Sequence, residues 1–340
     1  MRFALSEDQA ALRDAVRELL AAECSPAVVR AGWPGDEAAP ERVAAIWARL
    51  AEMGVLGAAV PEEAGGLGLG ACDVVPLLEE AGRVALPLPL AETAFVAAPL
   101  LAAAGDPQGL LEGVIAGETQ VAAGLDGSGL VAFAGIADRL LVATGPGEPI
   151  HLLPAEAAEP VESIDGARRL GRVAEIDRGT PLDLDPAALL AAWDRGVLGA
   201  AAQLVGLGRT LLALSTSYVQ ERRQFGVAIG TFQAVKHHLA NALLALEFAA
   251  PAALRAAWSL DQGAATAGRD VAMAKALASD AAERVAAVAL QVHGAIAYTT
   301  EYDLHLFAKR VWAASRTWGD AEWQRARVAD ALGLNNEVPL

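Results

Sequence analysis

The sequence predicts a mainly α protein in which one small β domain is set between two helical ones. Three observations carry this. The 340 residues are 54% apolar, much of it alanine and leucine recurring at helical spacing. A single stretch, Val121–Asp183, is instead rich in glycine and proline and holds only strand-length apolar runs. A capping signal restarts the helical pattern directly after it. The expected domains are a helical one over 1–117, a β one over 118–184 and a C-terminal four-helix bundle over 185–340. That length suffices for two or three domains around a large core.

Ser6, followed by Leu12, Val16, Leu19 and Leu20, predicts a first helix with the serine as its cap. Ile46, Leu50 and Met53 mark a second, from Pro40 to Met53. Gly65–Gly70 breaks the pattern and Ala71–Arg83 resumes it, while alternating prolines make Leu86–Leu90 extended. Helices over Glu92–Ala104 and Pro107–Ala116 complete the first domain. The β domain is expected from the runs Val121–Ala123, Leu130–Phe133, Arg139–Thr144, Ile150–Leu153 and Arg172–Glu175. Asp185-Pro186 then joins a capping aspartate to a proline at the first helical position, starting a helix that runs to Gln220. Glycines 196, 199, 206 and 208 weaken that helix and point to close helix–helix approach. Thr231 is expected to cap the next helix, which passes a kink at Pro251 and ends at Asp261. Helices over Ala264–Val292, Thr300–Trp312 and Asp320–Leu332 follow.

Charge narrows the partners. Lysine and arginine number 26 against 42 acidic residues, a net charge of −16. Such a surface repels nucleic acid and anionic membrane, and would repel any phosphorylated ligand unless basic groups gather locally. Mean hydropathy is high, at +0.34, yet no run approaches the ~20 uncharged apolar residues of a spanning segment. The sequence shows no positive n-region followed by an apolar h-region, so no signal peptide is expected. Cys24 and Cys72 have no metal-ligand spacing and are expected as buried thiols of a reducing cytoplasm. His237-His238 point about 100° apart on a helix, so no metal site is expected there.

The most informative stretch is Glu221-Arg222-Arg223-Gln224-Phe225-Gly226, followed by Ile229-Gly230-Thr231-Phe232-Gln233. It places two guanidinium groups, an aromatic ring and two glycines in a short turn between long helices. A guanidinium fork suits a phosphate and the ring offers a face for a base, as the pyrophosphate and adenine of a dinucleotide require. Taken alone, Arg222 and Arg223 read more simply as solvated charges closing a helix C-terminus.

R-x-x-F-G followed by F-Q is a signature of the acyl-CoA dehydrogenase family of flavoenzymes, which the chain resembles over nearly its whole length. Phe3–Gln9 with Leu12-Arg13 is similar to the family's opening helix, and Leu50–Gly54 leading to Val60–Gly68 to its first-domain motif. Gln291-Val292-His293-Gly294-Ala295, then Tyr298–Tyr302, resembles its second dinucleotide-contacting segment. The resemblance implies the acyl-CoA dehydrogenase fold with a reduced middle β domain, FAD as cofactor and an acyl-CoA thioester as substrate. The reaction implied is α,β-dehydrogenation, with electron-transferring flavoprotein as acceptor.

It also exposes departures. The family's usual base, the glutamate of a Y-E-G-T-S-Q-like segment, aligns with Trp318 in Thr317–Glu322, and an indole cannot take a proton. Asp320 stands where a threonine would lie near the ADP portion. The alternative base position of a minority of the family falls at Gly196. Asp194, two residues earlier, is about 200° away around the helix and is read as a solvated helix-face charge. No T-E-P-like loop or W-I-T-like segment surrounds a flavin ring, since no tryptophan lies within Val121–Asp183. No catalytic residue is therefore assigned.

In the family's oligomers FAD lies across a subunit interface, and what this chain keeps is the half a neighbour supplies. Those residues are Arg222, Gln224, Phe225, Gln233, Gln291, Val292, His293, Gly294 and Ala295. The expectation is a short, base-lacking subunit that completes the site of a longer acyl-CoA dehydrogenase paralogue in an α2β2 heterotetramer. Two alternatives stay open: a homomeric dehydrogenase with a displaced base, and a non-catalytic binding protein with a degenerate flavin fold. Trp312, Trp318 and Trp323 are read either as filling the space of a substrate tail or as interface anchors.

Overall fold

A computed structural model describes residues 3–35 and 40–334; the remaining residues of the first and last expected domains lie outside the described residues. Helix α1, Glu7–Glu23, begins on the expected Ser6 cap, which forms a reciprocal capping box with Gln9. Helices α2 (Pro26–Ala31), α3 (Pro40–Glu52) and α4 (Ala71–Arg83) follow. A π-helical segment, Ala91–Ala97, runs directly into α5, Ala98–Ala103. Helix α6 is shorter than expected, Leu111–Ala116, because the Asp106 carboxylate captures the backbone N–H groups of Leu110 and Leu111 and delays its start.

The β domain holds β1 (Val121–Gly124), β2 (Leu130–Val131), β3 (Arg139–Ala143), β4 (Ile150–Pro154), β5 (Ala158–Pro160), β6 (Gly171–Val173) and β7 (Thr180–Pro181). They form a four-stranded sheet, β1-β3-β4-β7, and a three-stranded one, β2-β6-β5. Only β1 and β3 pair in parallel. The short strands β5 and β7 escape periodicity because they are mostly exposed and each contains a proline. Arg310 fastens this domain to the helices: it pairs with Asp165 and donates to the Leu86 carbonyl at 2.8 Å.

The C-terminal bundle comprises α7 (Pro186–Glu221), α8 (Gln233–Asp261), α9 (Ala267–His293), α10 (Leu304–Arg316) and α11 (Ala321–Ala331). Asp185 caps α7 as expected, accepting from Ala188 N–H at 2.7 Å. The expected Thr231 cap of α8 is wrong: Phe232 occupies the N-cap position without a side-chain bond, and the Thr231 hydroxyl donates to the Ala228 carbonyl at 2.6 Å instead. Helix α8 continues as one element through Pro251. Close approach is real. A Cβ on Gly206 would lie 2.0 Å from the Glu79 carbonyl oxygen, and one on Gly82 2.2 Å from that of Gln203, so α4 and α7 touch backbone to backbone.

By length and hydropathy α7 and α8 could each cross a membrane, and both are packed with α9 in one bundle. Helix α8 still presents Leu244 and Phe248, 56% and 72% exposed, to the outside. Cys24 is buried as expected; Cys72 is only half-buried, at the start of α4.

Candidate functional site

The R-x-x-F-G segment is a tight hairpin. Helix α7 ends at Glu221, and β8 (Arg223–Gln224) returns antiparallel to β9 (Val227–Ala228). The two turn residues, Phe225 and Gly226, have φ of +51° and +82°, the conformation of a type I′ turn. This geometry holds the Phe225 ring out: it is 92% exposed and meets the Phe232 ring edge-on at 6.2 Å. Arg222, Arg223, Gln224 and Gln233 are exposed. Among the described residues neither arginine has an ion-pair partner.

The second segment lies at the same end of the bundle. Helix α9 ends at His293, and Gly294 turns the chain away with φ +67°. The His293 ring stacks on Tyr218, centroids 4.2 Å apart, and the Tyr218 hydroxyl donates to the His293 carbonyl at 3.4 Å. Tyr218 also accepts the Arg222 N–H at its carbonyl, at 2.9 Å. One tyrosine thus ties both segments together. The His293 ring itself is buried, Nδ1 2.8 Å from the Ala289 carbonyl; burial pushes its pKa down and that backbone contact opposes the fall. Val292 is half-buried; Gln291, Gly294 and Ala295 are exposed beside it. Next to the hairpin an open groove of about 470 Å³ runs between α7 and α8, lined by Thr216, Val219, Ala228, Lys236, Leu239 and Leu243.

Around Trp318, the residue that the sequence resemblance aligns with the family's base, the arrangement is closed. Trp318 takes φ +61° and is 3% exposed. Its ring occupies the volume beside Gly196, where a Cβ would come within 2.4 Å of it. Trp193 and Trp323 pack around, with Trp193 5.5 Å from Trp318 and 5.4 Å from Trp323. Lys275 holds the loop from beneath, its Nζ donating to Ser279 Oγ and to the carbonyls of Ser315 and Gly319 at 3.0–3.1 Å. Gln324 Nε2 donates to the Trp318 carbonyl at 2.6 Å. What remains is a void of about 20 Å³ bordered by Glu92, Phe133, Arg168, Ala200, Arg310 and Trp318. That volume admits a water molecule and little else.

Comparison with known proteins decides the relationship. Family models of the acyl-CoA dehydrogenase N-terminal and C-terminal domains match residues 6–117 and 189–333. The acyl-CoA dehydrogenase IpdE2 of Mycobacterium tuberculosis is 34% identical over 312 residues, 91% of this chain and 92% of that protein. The chain belongs to the acyl-CoA dehydrogenase family. A solved structure described as a Tcur3481-Tcur3483 steroid ACAD variant superposes with a TM-score of 0.83 at 29% identity, covering 96% of this chain and 98% of that one. The ChsE4-ChsE5 complex of Mycobacterium tuberculosis shares the fold, with a TM-score of 0.82 at 23% identity over the full length of both chains.

FAD is the cofactor that membership of this acyl-CoA dehydrogenase family brings. The chain answers to it differently at its two places. At the hairpin, free guanidinium groups and an outward ring offer the donors and stacking face that a pyrophosphate and adenine use. At Trp318 the residual void cannot take a flavin ring, and the residues present do not fit it.

Two acidic residues differ from expectation. Asp194 is not a solvated charge: it is buried and accepts from Arg327 at 3.1 Å. Burial raises its pKa and Arg327 opposes the rise. Asp320 serves as the N-cap of α11, accepting from Trp323 N–H at 2.9 Å, with Arg316 at 3.5 Å. Residues invisible to sequence reasoning also appear. Glu92 is the one carboxylate lining the closed void; its Oε2 is buried without a partner, and burial raises its pKa against the fields of Arg168 and Arg310. Lys236 adds a third cation near the hairpin. His237 and His238 are exposed, and among the described residues no acidic, histidine or cysteine cluster is placed to hold a metal.

Proposed function

We propose that this chain is the subunit that completes a partner's FAD site in a heteromeric acyl-CoA dehydrogenase. The observation that carries it is the Trp318 indole seated against Gly196, which in this reading fills the chain's own reaction pocket while the hairpin at the far end stays open. Arg222 and Arg223 would hold the pyrophosphate of a cofactor seated in the partner, Phe225 would stack on its adenine, and Gln224, Gln233 and the Gln291–Ala295 segment would border it. Bound FAD supplies the hydride-accepting chemistry of α,β-dehydrogenation. The carboxylate that takes the α-proton belongs, in this reading, to the longer paralogue, since neither Trp318 nor Gly196 can provide it.

Exposed Leu244 and Phe248 on α8, with Met273 and Leu277 on α9 at 43% and 40% exposure, support association into an α2β2 tetramer. The likeness to a steroid ACAD structure supports an acyl-CoA with a steroid body as the substrate class. Electron-transferring flavoprotein and a cytoplasmic location complete the proposal. A second reading, a homomeric enzyme, is favoured by Glu92, the carboxylate already inside the closed void.

Flavin stoichiometry separates the two. The chain should purify colourless alone and carry FAD only when co-expressed with a longer, base-bearing paralogue, at two flavins per tetramer. One flavin per subunit in the isolated chain would return the protein to the homomeric class.

A further inference from the structure

Away from both regions, a cavity of about 410 Å³ lies between the Pro61–Ala64 turn, α5 and the first turns of α7. Its walls are small and apolar, formed by Ala59, Pro99, Ala103, Ala188 and Ala191, and its single cation is Arg195. At about 100° per residue, Ala188, Ala191 and Arg195 lie on one face of α7 and Trp193, Gly196 and Ala200 on a neighbouring one, and the two linings have no residue in common. The cavity is therefore separate from the pocket that Trp318 closes.

Arg195 differs from the other sheltered arginines of the helices. Arg209 is paired with Glu79 and Glu247, Arg310 with Asp165 and Arg327 with Asp194. Among the described residues no hydrogen bond or ion pair reaches Arg195. Burial pulls its pKa down, and the carboxylate whose field opposes this, Asp261, is already engaged by the backbone N–H groups of Ala71 and Cys72 at 2.6 and 2.9 Å. A partly desolvated guanidinium whose hydrogen-bonding fork is unmet is costly, and the field of Asp261 offsets that only in part. The unmet fork and the apolar wall beside it fit one kind of ligand.

We propose that this cavity binds a monocarboxylate with a compact apolar body. The carboxylate sits bidentate on Arg195 and the body lies against the alanine and proline wall. Glu63 also lines the cavity and is exposed to solvent, and it repels a phosphate dianion more than a monoanion; with no second cation in the lining, a phosphate suits the cavity less than a carboxylate. The occupant bridges α5 and α7.

Isothermal titration of the full chain with cyclohexanecarboxylate, cyclohexanecarboxamide and inorganic phosphate tests this. The carboxylate is expected to bind saturably, the amide at least tenfold more weakly, and phosphate not to compete. Arg195→Gln should weaken the carboxylate at least tenfold, and Arg195→Lys should retain part of the affinity. Ala103→Leu, which keeps the cation but fills the wall, should lose binding while the circular dichroism spectrum is unchanged. Equal affinity for the amide, undiminished binding in Ala103→Leu or Arg195→Gln, displacement by phosphate, or no saturable heat in the wild type at ~10 mM would overturn the proposal.

Discussion

Trp318 and Gly196 occupy one volume between them: the indole stands where any side chain at 196 would begin. The two positions that the sequence resemblance aligns with the family's bases are thus a packed pair. Gly196→Ala should cost roughly 1–3 kcal/mol by overpacking. In a Trp318→Leu background the same substitution should cost much less, and a double-mutant cycle by urea unfolding measures the coupling. Trp318→Glu alone should give no turnover in the isolated chain, since the ring-contacting loop is absent as well.

Arg222 is exposed and unpaired among the described residues, so Arg222→Ala should leave the unfolding midpoint within experimental scatter. The flavin-to-protein absorbance ratio of the co-expressed complex should nevertheless fall. Arg222→Lys should restore it only in part, because a point charge lacks the fork. An unchanged ratio in the alanine variant would remove Arg222 from the cofactor site.

Lys275 makes a pH-dependent contribution. Burial brings its pKa down from the ordinary 10.5 to about 7, against the fields of Asp320 and Glu283. Between those values the unfolded chain binds the proton and the folded chain does not, so this group's contribution rises with pH over that window and is flat below it. The stability of the wild type minus that of Lys275→Met should therefore rise from pH 7 to 9, by up to about 1.4 kcal/mol per unit. Urea midpoints at three pH values check this; a difference that is flat or falls with pH contradicts the assignment.

Asp165 and Arg310 join the β domain to α10 as a buried pair. Asp165→Ala leaves Arg310 with the Leu86 carbonyl as its one hydrogen-bond acceptor among the described residues and should cost about 3–5 kcal/mol. Asp165→Ala with Arg310→Met should recover part of that loss, measurable by thermal unfolding of the double variant.

Local signals made the helices legible. Ser6 and Asp185 cap their own helices, and the glycines of α7 announce close approach before any partner helix is known. Thr231 failed as a cap for a reason equally local: its hydroxyl found the Ala228 carbonyl first. The site divided along the same line. The hairpin could be read from adjacent residues. Lys275 could not, because the carbonyls it holds, Ser315 and Gly319, lie 40 and 44 residues further along the chain. Glu92 is one acid in an alanine-rich run until α7 and α10 close over it.

The glycine contact between α4 and α7 has a mechanical consequence. At Gly206 and Gly82 a carbonyl oxygen of the facing helix stands where a side chain would be, so at those two points no rotamer can change to let the helices slide. Helix α7, with 36 residues, spans about 54 Å at its usual rise, so it acts as a rod clamped near its middle. Its far tip, the hairpin, keeps a set position relative to the N-terminal helices. Anything that docks there meets a rigid edge and must do the conforming itself.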